Sequence, residues 1–478
     1  VNKTAVLTLG IGRLLQIAIV FLTYRAVTEV LPQDEVGFFF LLQALAGFFG
    51  LIVVNPVGTF LNREIHGWEK SGSLRPGLKA FLGFSWVAAI IAGLLIAALS
   101  LLGIGSLGAH EPWALTAFTS LVMVSGATIA NTFIPLLNIL ERRLSFVVLT
   151  VVSQALALGF SYVVVLRSGA HASNWMLATG AVQIAFGLFA FGLLVRKSAG
   201  ANGPSAIADH ASLSSAKMKE LTVPLWSFAA PIAIANFAVW GLMQGYRPLV
   251  ENFAGLGALS IIGLGLGLAS SITASFEALV HQVFLPVFYR RSHSEDLKTR
   301  ERNWNHLWRA CVPSYFGLVV VLMGLSHHFV DVLTGGSYPQ AGLYLAIGVG
   351  AEFLRMIGNL VVLYAQSERN MKPTRLPYYI GAAVAFAGSL YAIHIGELQY
   401  VAYSLIFGQG AAAAFLIKTV ITSKEMLKLN ILSMIRFLVV PSVLVYLAKD
   451  VPAPQALGGV ALGMGILTIH YWWQVREK

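Results

Sequence analysis

The chain has 478 residues, of which 57% are hydrophobic and only 11% charged; soluble domains carry about 25% charged residues, so a soluble globular protein is excluded. A formal charge of +11 would point a soluble protein toward nucleic acid, but in a membrane protein the distribution of Lys and Arg among loops matters more, and no nucleic-acid partner is expected. The single cysteine, Cys311, allows no internal disulfide. No metal-ligand spacing stands out, so neither a metal site nor a cofactor is expected.

A bilayer core takes about 20 apolar residues per helix. Apolar runs between polar breaks predict about 14 spans, at 4–27, 35–61, 80–102, 113–139, 144–166, 175–195, 222–246, 257–288, 308–326, 341–365, 377–395, 400–421, 431–448 and 457–473. The expected fold class is therefore an all-α polytopic membrane protein. The opening VNKTAVLTLGIGRLLQ reads as the start of the first span, with no signal-peptide cleavage site.

The first span carries Arg13 near its middle, with Gln16 and Tyr24 on the same helical face. A charge at mid-bilayer depth costs at least about 2.5–3.5 kcal/mol, so Arg13 is expected to face a polar interior. The span closes on YRAVTEVL, residues 24–31, where Arg25 and Glu29 have i,i+4 spacing. The second span adds Gln43 and Asn55, the latter just before Pro56. Spans four to six add Asn131, Gln154 and Gln183. The longest connection, residues 196–220, is rich in Ala, Gly and Ser and reads as a flexible cytoplasmic linker. It divides the chain into a six-helix lobe (1–195), the linker (196–220), a second six-helix lobe (221–422) and a terminal helix pair (423–478).

The seventh span places Asn236, Gln244, Arg247 and Glu251 on one face and ends with YRPLVENF, residues 246–253. The Tyr-Arg pair and the Glu four residues after the Arg repeat those of YRAVTEVL at an offset of about 222 residues. Six is even, so the two lobes run the same way, as a parallel repeat about an axis along the membrane normal. Arg25 and Arg247, with Tyr24 and Tyr246, would then stand at the outer mouth of a central cavity. The competing reading is that each Arg snorkels to the interface and pairs with its own Glu.

In the eighth span GLGLGLASS, residues 263–271, allows close helix approach. Ser270, Thr273, Glu277 and His281 follow on one face. Glu277 with His281 is either a proton relay or a satisfied interior pair. The basic stretch 290–309, with two Trp, reads as a loop, lying on the anionic inner leaflet or simply solvated. The tandem His327 and His328 falls in an outside loop and is not expected to bind metal. In the tenth span Glu352, Arg355 and Asn359 line one face. Glu352 and Arg355 form either a structural ion pair or part of a site. Arg436 and Pro441 interrupt the thirteenth span.

With the amino terminus inside, about 25 of the 32 Lys and Arg residues fall on the inside. Both ends are therefore expected in the cytosol. Arg13, Arg25, Arg247 and Arg355 suit an anionic substrate, because guanidinium grips phosphate in bidentate fashion. Gln16, Tyr24, Asn55, Gln244, Tyr246 and Asn359 suit a polyhydroxylated group. Glu277, His281 and Glu352 are candidates for ion coupling. No GxxxxGK[ST] motif provides ATP hydrolysis and no carboxylate pair stands out for glycosyl transfer, so a transporter is expected rather than an enzyme.

GRLLQIAIVFLTYRAVTEVLPQDEVGFFFLLQALAGFF, followed by NPVGTFLNREIHGW, resembles the start of Wzx-type O-antigen and polysaccharide flippases. VDVLTGGSYPQAG, residues 330–342, is similar to their outside loop after helix nine. These flippases belong to the multidrug/oligosaccharidyl-lipid/polysaccharide (MOP) exporter superfamily, with the MATE transporters and the lipid II flippase. The resemblance implies two six-helix lobes around a cationic cavity, with helices thirteen and fourteen beside it. It implies a bacterial inner-membrane protein that moves an undecaprenyl-diphosphate-linked oligosaccharide to the outer leaflet by alternating access, driven by membrane potential or ion coupling. Its partners would include a polysaccharide polymerase and a chain-length regulator. The family's cavity cations would correspond to Arg13, Arg25 and Arg247; Arg355 is added from its depth alone. A cation-coupled MATE-like drug exporter, or a scaffold that binds lipid-linked sugars without moving them, are the alternatives.

Overall fold

A computed structural model describes residues 3–71, 73–103, 107, 110–200, 215–292, 297–368, 370–421 and 424–477. The helices in chain order are α1 (Lys3–Val30), α2 (Gln33–Phe49), α3 (Asn55–Ser71), α4 (Leu74–Leu101), α5 (Trp113–Ile139), α6 (Arg143–Ser168), α7 (Ala172–Gly200), α8 (Ser215–Gln244), α9 (Tyr246–Ser292), α10 (Leu297–Gly324), α11 (Ser326–Thr334), α12 (Ala341–Ser367), α13 (Arg375–His394), α14 (Gln399–Val420), α15 (Ile431–Ala448) and α16 (Ala453–Glu477). No strand occurs among the described residues. Twelve segments among them are long and apolar enough to cross a bilayer. One of these, Ala229–His281, is 53 residues long, more than twice the length a span needs, and holds α8 and α9 in succession. Counting these two separately, and adding the 25-residue α16, recovers the expected 14 long rods. Large apolar side chains such as Leu94, Phe160, Phe386, Val443 and Leu462 stay exposed, as on surfaces that face hydrocarbon rather than water.

The chain forms two compact units, Val1–Trp240 and Gly241–Lys478. The division falls within α8, some way past the sequence-expected linker; residues 201–214 of that linker lie outside the described residues.

In the first unit, α5 packs against α4 and α7, and α6 against α7 and α1. Leu61, Ile65, Leu78, Phe81, Ile129, Phe133 and Leu137 form its main core. Helix two is continuous from α2 to α3 through one π-helical stretch, Gly50–Val54. Pro56 leaves one carbonyl of that stretch without a backbone donor. In an i→i+5 pattern the Leu51 carbonyl would accept from residue 56, and proline has no N–H. Asn236 Nδ2 of α8 donates to Leu51 O instead, at 2.7 Å. A neighbouring bond, Trp240 Nε1 to Ala44 O at 3.0 Å, holds α8 along helix two.

In the second unit, α9, α10, α12 and α14 enclose a core of Phe284, Trp304, Trp308, Tyr315, Met356, Leu360 and Leu416. α15 and α16 pack on α10 through Val321, Leu325, Ala448, Ala456 and Val460. Two sequence expectations are corrected here. The basic stretch 290–309 is not a loop: α10 begins at Leu297. Trp304 and Trp308 are four residues apart and turn inward together, so neither can lie on a leaflet surface or in solvent. Its polar residues instead serve the turn before α15. Asn305 Nδ2 donates to Met426 O at 2.5 Å, and Arg309 Nε donates to Lys428 O at 3.1 Å. The second correction concerns YRPLVENF. It opens α9 rather than closing the preceding span, because Pro248 cannot bond back to residue 244 in a continuing helix. Two residues past it, Gly255, with φ of 84° and ψ of 172°, kinks the chain, a conformation that needs glycine. YRAVTEVL, in contrast, closes the unbroken α1 as expected, with Leu31 just past its last residue.

Candidate functional site

In the second unit the inward faces of α9 and α12 meet. Small residues permit this: a Cβ on Gly265 would lie 2.5 Å from Ala341 O, so only glycine lets the helices approach so closely there. One or more turns further along, Thr273, Glu277 and His281 of α9 face Glu352, Arg355 and Asn359 of α12. Arg355 Nη1 donates to Glu277 Oε2 at 2.9 Å, and its Nε donates to Glu352 Oε2 at 2.5 Å. Asn359 Nδ2 donates to Glu277 Oε1 at 2.9 Å. Thr273 Oγ1 donates to Glu352 Oε2 at 3.0 Å. His281 Nε2 lies 3.9 Å from Glu277 Oε1 and 3.4 Å from the Tyr315 hydroxyl of α10. Two carboxylates thus share one guanidinium at mid-helix depth. Arg355 Nη2 is buried without an acceptor. The side chains of Glu277, Glu352 and Arg355 are all buried or nearly so. The sequence reading placed five of these residues in its site, and the fold brings all five together.

The other candidate residues are dispersed. Arg13 Nη1 donates to Gln16 Oε1 at 3.0 Å, and Arg13 Nε is buried without an acceptor. Tyr24 stacks on Phe40 at 6.5 Å. Arg25 Nε lies 3.7 Å from Glu29 Oε2, with both side chains well exposed. Arg13 and Arg25 are separated along α1 by about 18 Å at 1.5 Å per residue, too far for one diphosphate to touch both. Tyr246 and Arg247 are buried, and Arg247 Nε donates to the Tyr246 hydroxyl at 3.2 Å. Gln244 Oε1 is buried without a donor. Asn55 lines a pocket of about 450 Å³ between helix two and α5, together with Thr59, Asn62, Thr128 and Asn131. The side chains of Asn55, Asn62 and Asn131 are exposed to it.

A second polar cluster, in the first unit, was not anticipated. Glu35, in the first turn of α2, accepts from the Ala172 N–H at 2.7 Å through Oε2. Its Oε1 lies 3.0 Å from both His110 Nε2 and His171 Nδ1. Glu111 Oε2 accepts from Ser173 Oγ. The hydrogen bond to Glu35 raises His110 above the usual imidazole value. Burial raises the Glu111 carboxyl above the usual carboxylate range. These residues come from three connections far apart in the chain, so no helical spacing announces them.

No family model and no curated protein matches the sequence. Solved structures do match its fold. The chain is similar to a lipid II flippase, MurJ, in an inward closed conformation, with a TM-score of 0.67 at 11% identity over 100% of both chains. It is similar to an outward-facing multidrug resistance MATE family transporter of the MOP superfamily, with a TM-score of 0.56 at 15% identity over 91% of this chain and 96% of the other. A MOP superfamily transporter from Pyrococcus furiosus, described as having a binding pocket of reversed polarity, matches with a TM-score of 0.51 at 15% identity over 91% and 96% of the two chains. The chain has the polytopic helical fold that these MOP superfamily transporters share.

Proposed function

We propose that the protein is a flippase that carries a lipid-linked oligosaccharide, on undecaprenyl diphosphate, from the cytoplasmic to the outer leaflet of a bacterial inner membrane. The observation that carries this reading is the extent of the fold match. The lipid II flippase covers this chain completely, whereas the drug-transporter match covers 91% of it. The arginines support the same reading, because a drug exporter for cations would favour an acidic cavity. In this scheme Arg13, Arg25 and Arg247 attract the diphosphate. Gln16, Tyr24, Asn55, Gln244, Tyr246 and Asn359 offer hydrogen bonds to sugar hydroxyls, and the prenyl tail stays in lipid. Arg355, held by two carboxylates, is assigned to the coupling network of Glu277, Glu352 and His281 rather than to the diphosphate. Moving a headgroup of charge −2 outward across an inside-negative membrane is favourable by about 2.3 kcal/mol per charge per 100 mV, so potential alone can drive export. A polysaccharide polymerase and a chain-length regulator are the expected partners.

Native mass spectrometry of the gently purified protein, beside an Arg25→Ala, Arg247→Ala variant, tests the cargo. A prenyl-diphosphate glycan bound to the wild type and lost in the variant is the expected result. Tight binding of a cationic amphiphile with no such lipid would replace the flippase by a drug exporter. A bound glycan that never changes leaflet in a leaflet-resolved assay would leave a scaffold. For coupling, Glu277→Gln is expected to flatten the pH dependence of transport. An unchanged profile at every pH removes proton coupling through that residue.

A further inference from the structure

The three connections leading into α2, α5 and α7 converge at the end of the first unit opposite its basic turns. Four potential metal ligands meet there: Glu35, His110, Glu111 and His171. One oxygen of each carboxylate and one ring nitrogen of His171 lie within 4.8 Å of one another. Hydrogen bonds account for most of this cluster but not for all of it. Glu111 is 7% exposed, and its Oε1 is buried with no donor, a costly state for a carboxylate oxygen. A second carboxylate beside it raises that cost, since like charges repel. A cation among these ligand atoms removes both penalties at once.

We propose that this cluster is a binding site for one divalent transition-metal ion of the zinc type, held by Glu111, Glu35 and His171, with His110 as a further nitrogen. The donor set decides the class of ion. Mixed imidazole and carboxylate ligands suit zinc, while calcium and magnesium take oxygen ligands alone. Zinc–nitrogen and zinc–oxygen distances of about 2.0–2.2 Å require the ligand atoms to draw in from their present separation. His171 can supply that movement, since its side chain is 57% exposed. The backbone bond from Ala172 to Glu35 and the hydroxyl bond from Ser173 to Glu111 would remain as supports that orient the two carboxylates. An ion held here would tie the starts of α2 and α7 to the connection before α5. The inference is independent of what the protein transports.

The test uses the full-length protein in detergent, without a polyhistidine tag, stripped with chelator and titrated with zinc by calorimetry. Bound metal is counted by elemental mass spectrometry. One zinc per chain is expected, with a rise in the thermal midpoint on addition. Glu111→Gln keeps the side-chain volume and His171→Ala removes an exposed ring, so both are expected to fold. Each is expected to weaken binding by at least about tenfold, as loss of even an outer-shell partner does. A His327→Ala, His328→Ala variant is expected to bind as the wild type does. Failure of the wild type to bind zinc overturns the proposal. So does undiminished binding by Glu111→Gln and His171→Ala, or loss of binding only in the His327, His328 variant.

Discussion

Replacing Arg355 with Met is expected to destabilise the folded protein by about 3–5 kcal/mol, the usual cost of removing one partner from a buried ion pair. Glu277 and Glu352 would be left side by side in the interior without their shared cation. Asn359 and Thr273 would still donate to them, but neither carries charge. The loss should appear as a lower midpoint in thermal unfolding, followed in detergent. Adding Glu277→Gln and Glu352→Gln to the same chain should recover much of it, because the carboxylates would no longer repel or need a counter-charge. A single variant as stable as the wild type would mean that Arg355 does not hold the two carboxylates in the folded protein. A triple variant less stable than the single one would mean that hydrogen-bond geometry, not charge, sets the stability of the cluster.

Trp304→Ala is expected to cost about 3–5 kcal/mol as well, through the cavity left by a large buried ring. Trp304 is fully buried and stacks on Trp308 with ring centroids 5.1 Å apart. It meets Tyr364 edge to face at 5.8 Å, and its Nε1 donates to Leu360 O at 3.1 Å. Trp304→Phe loses the hydrogen bond and part of the ring but keeps much of the packing, so it should cost clearly less. The same unfolding measurement separates the two. Equal, small effects from both would place the indole on the surface, as a loop reading of residues 290–309 requires.

What the sequence revealed and what it hid follow from chain distance. Glu352, Arg355 and Asn359 lie within eight residues, and Thr273, Glu277 and His281 within nine. Helical periodicity therefore showed which residues share a face, and depth in the bilayer marked them as costly. Their meeting across α9 and α12 needed only that two polar stripes in an apolar bundle find each other. Glu35, His110 and His171 gave no such sign, since the first is 75 residues from the second and 136 from the third. In α10 the abundance of charge outweighed the i,i+4 spacing of the two Trp and suggested a loop. The likeness of YRAVTEVL to YRPLVENF was real as a string of letters, but Pro248 gives the second copy a different place in its helix.

The π-helical stretch in helix two also sets an angle. The pocket wall runs from Ala46 to Asn62 with lining residues recurring every fourth position. In an unbroken α-helix, at roughly 100° per residue, such a stripe would drift by about 160° over that length. The widened stretch at Gly50–Val54 absorbs one extra residue and reduces the drift to roughly 60°. Asn55, Thr59 and Asn62 thus share a wall with Ala46 and Gly47 because of a count of residues, not because of any contact they make. Closing Gly50–Val54 into plain helix with every residue retained would swing those three polar groups away by about 100°, whereas deleting one residue there would remove the widening and leave all three on the wall.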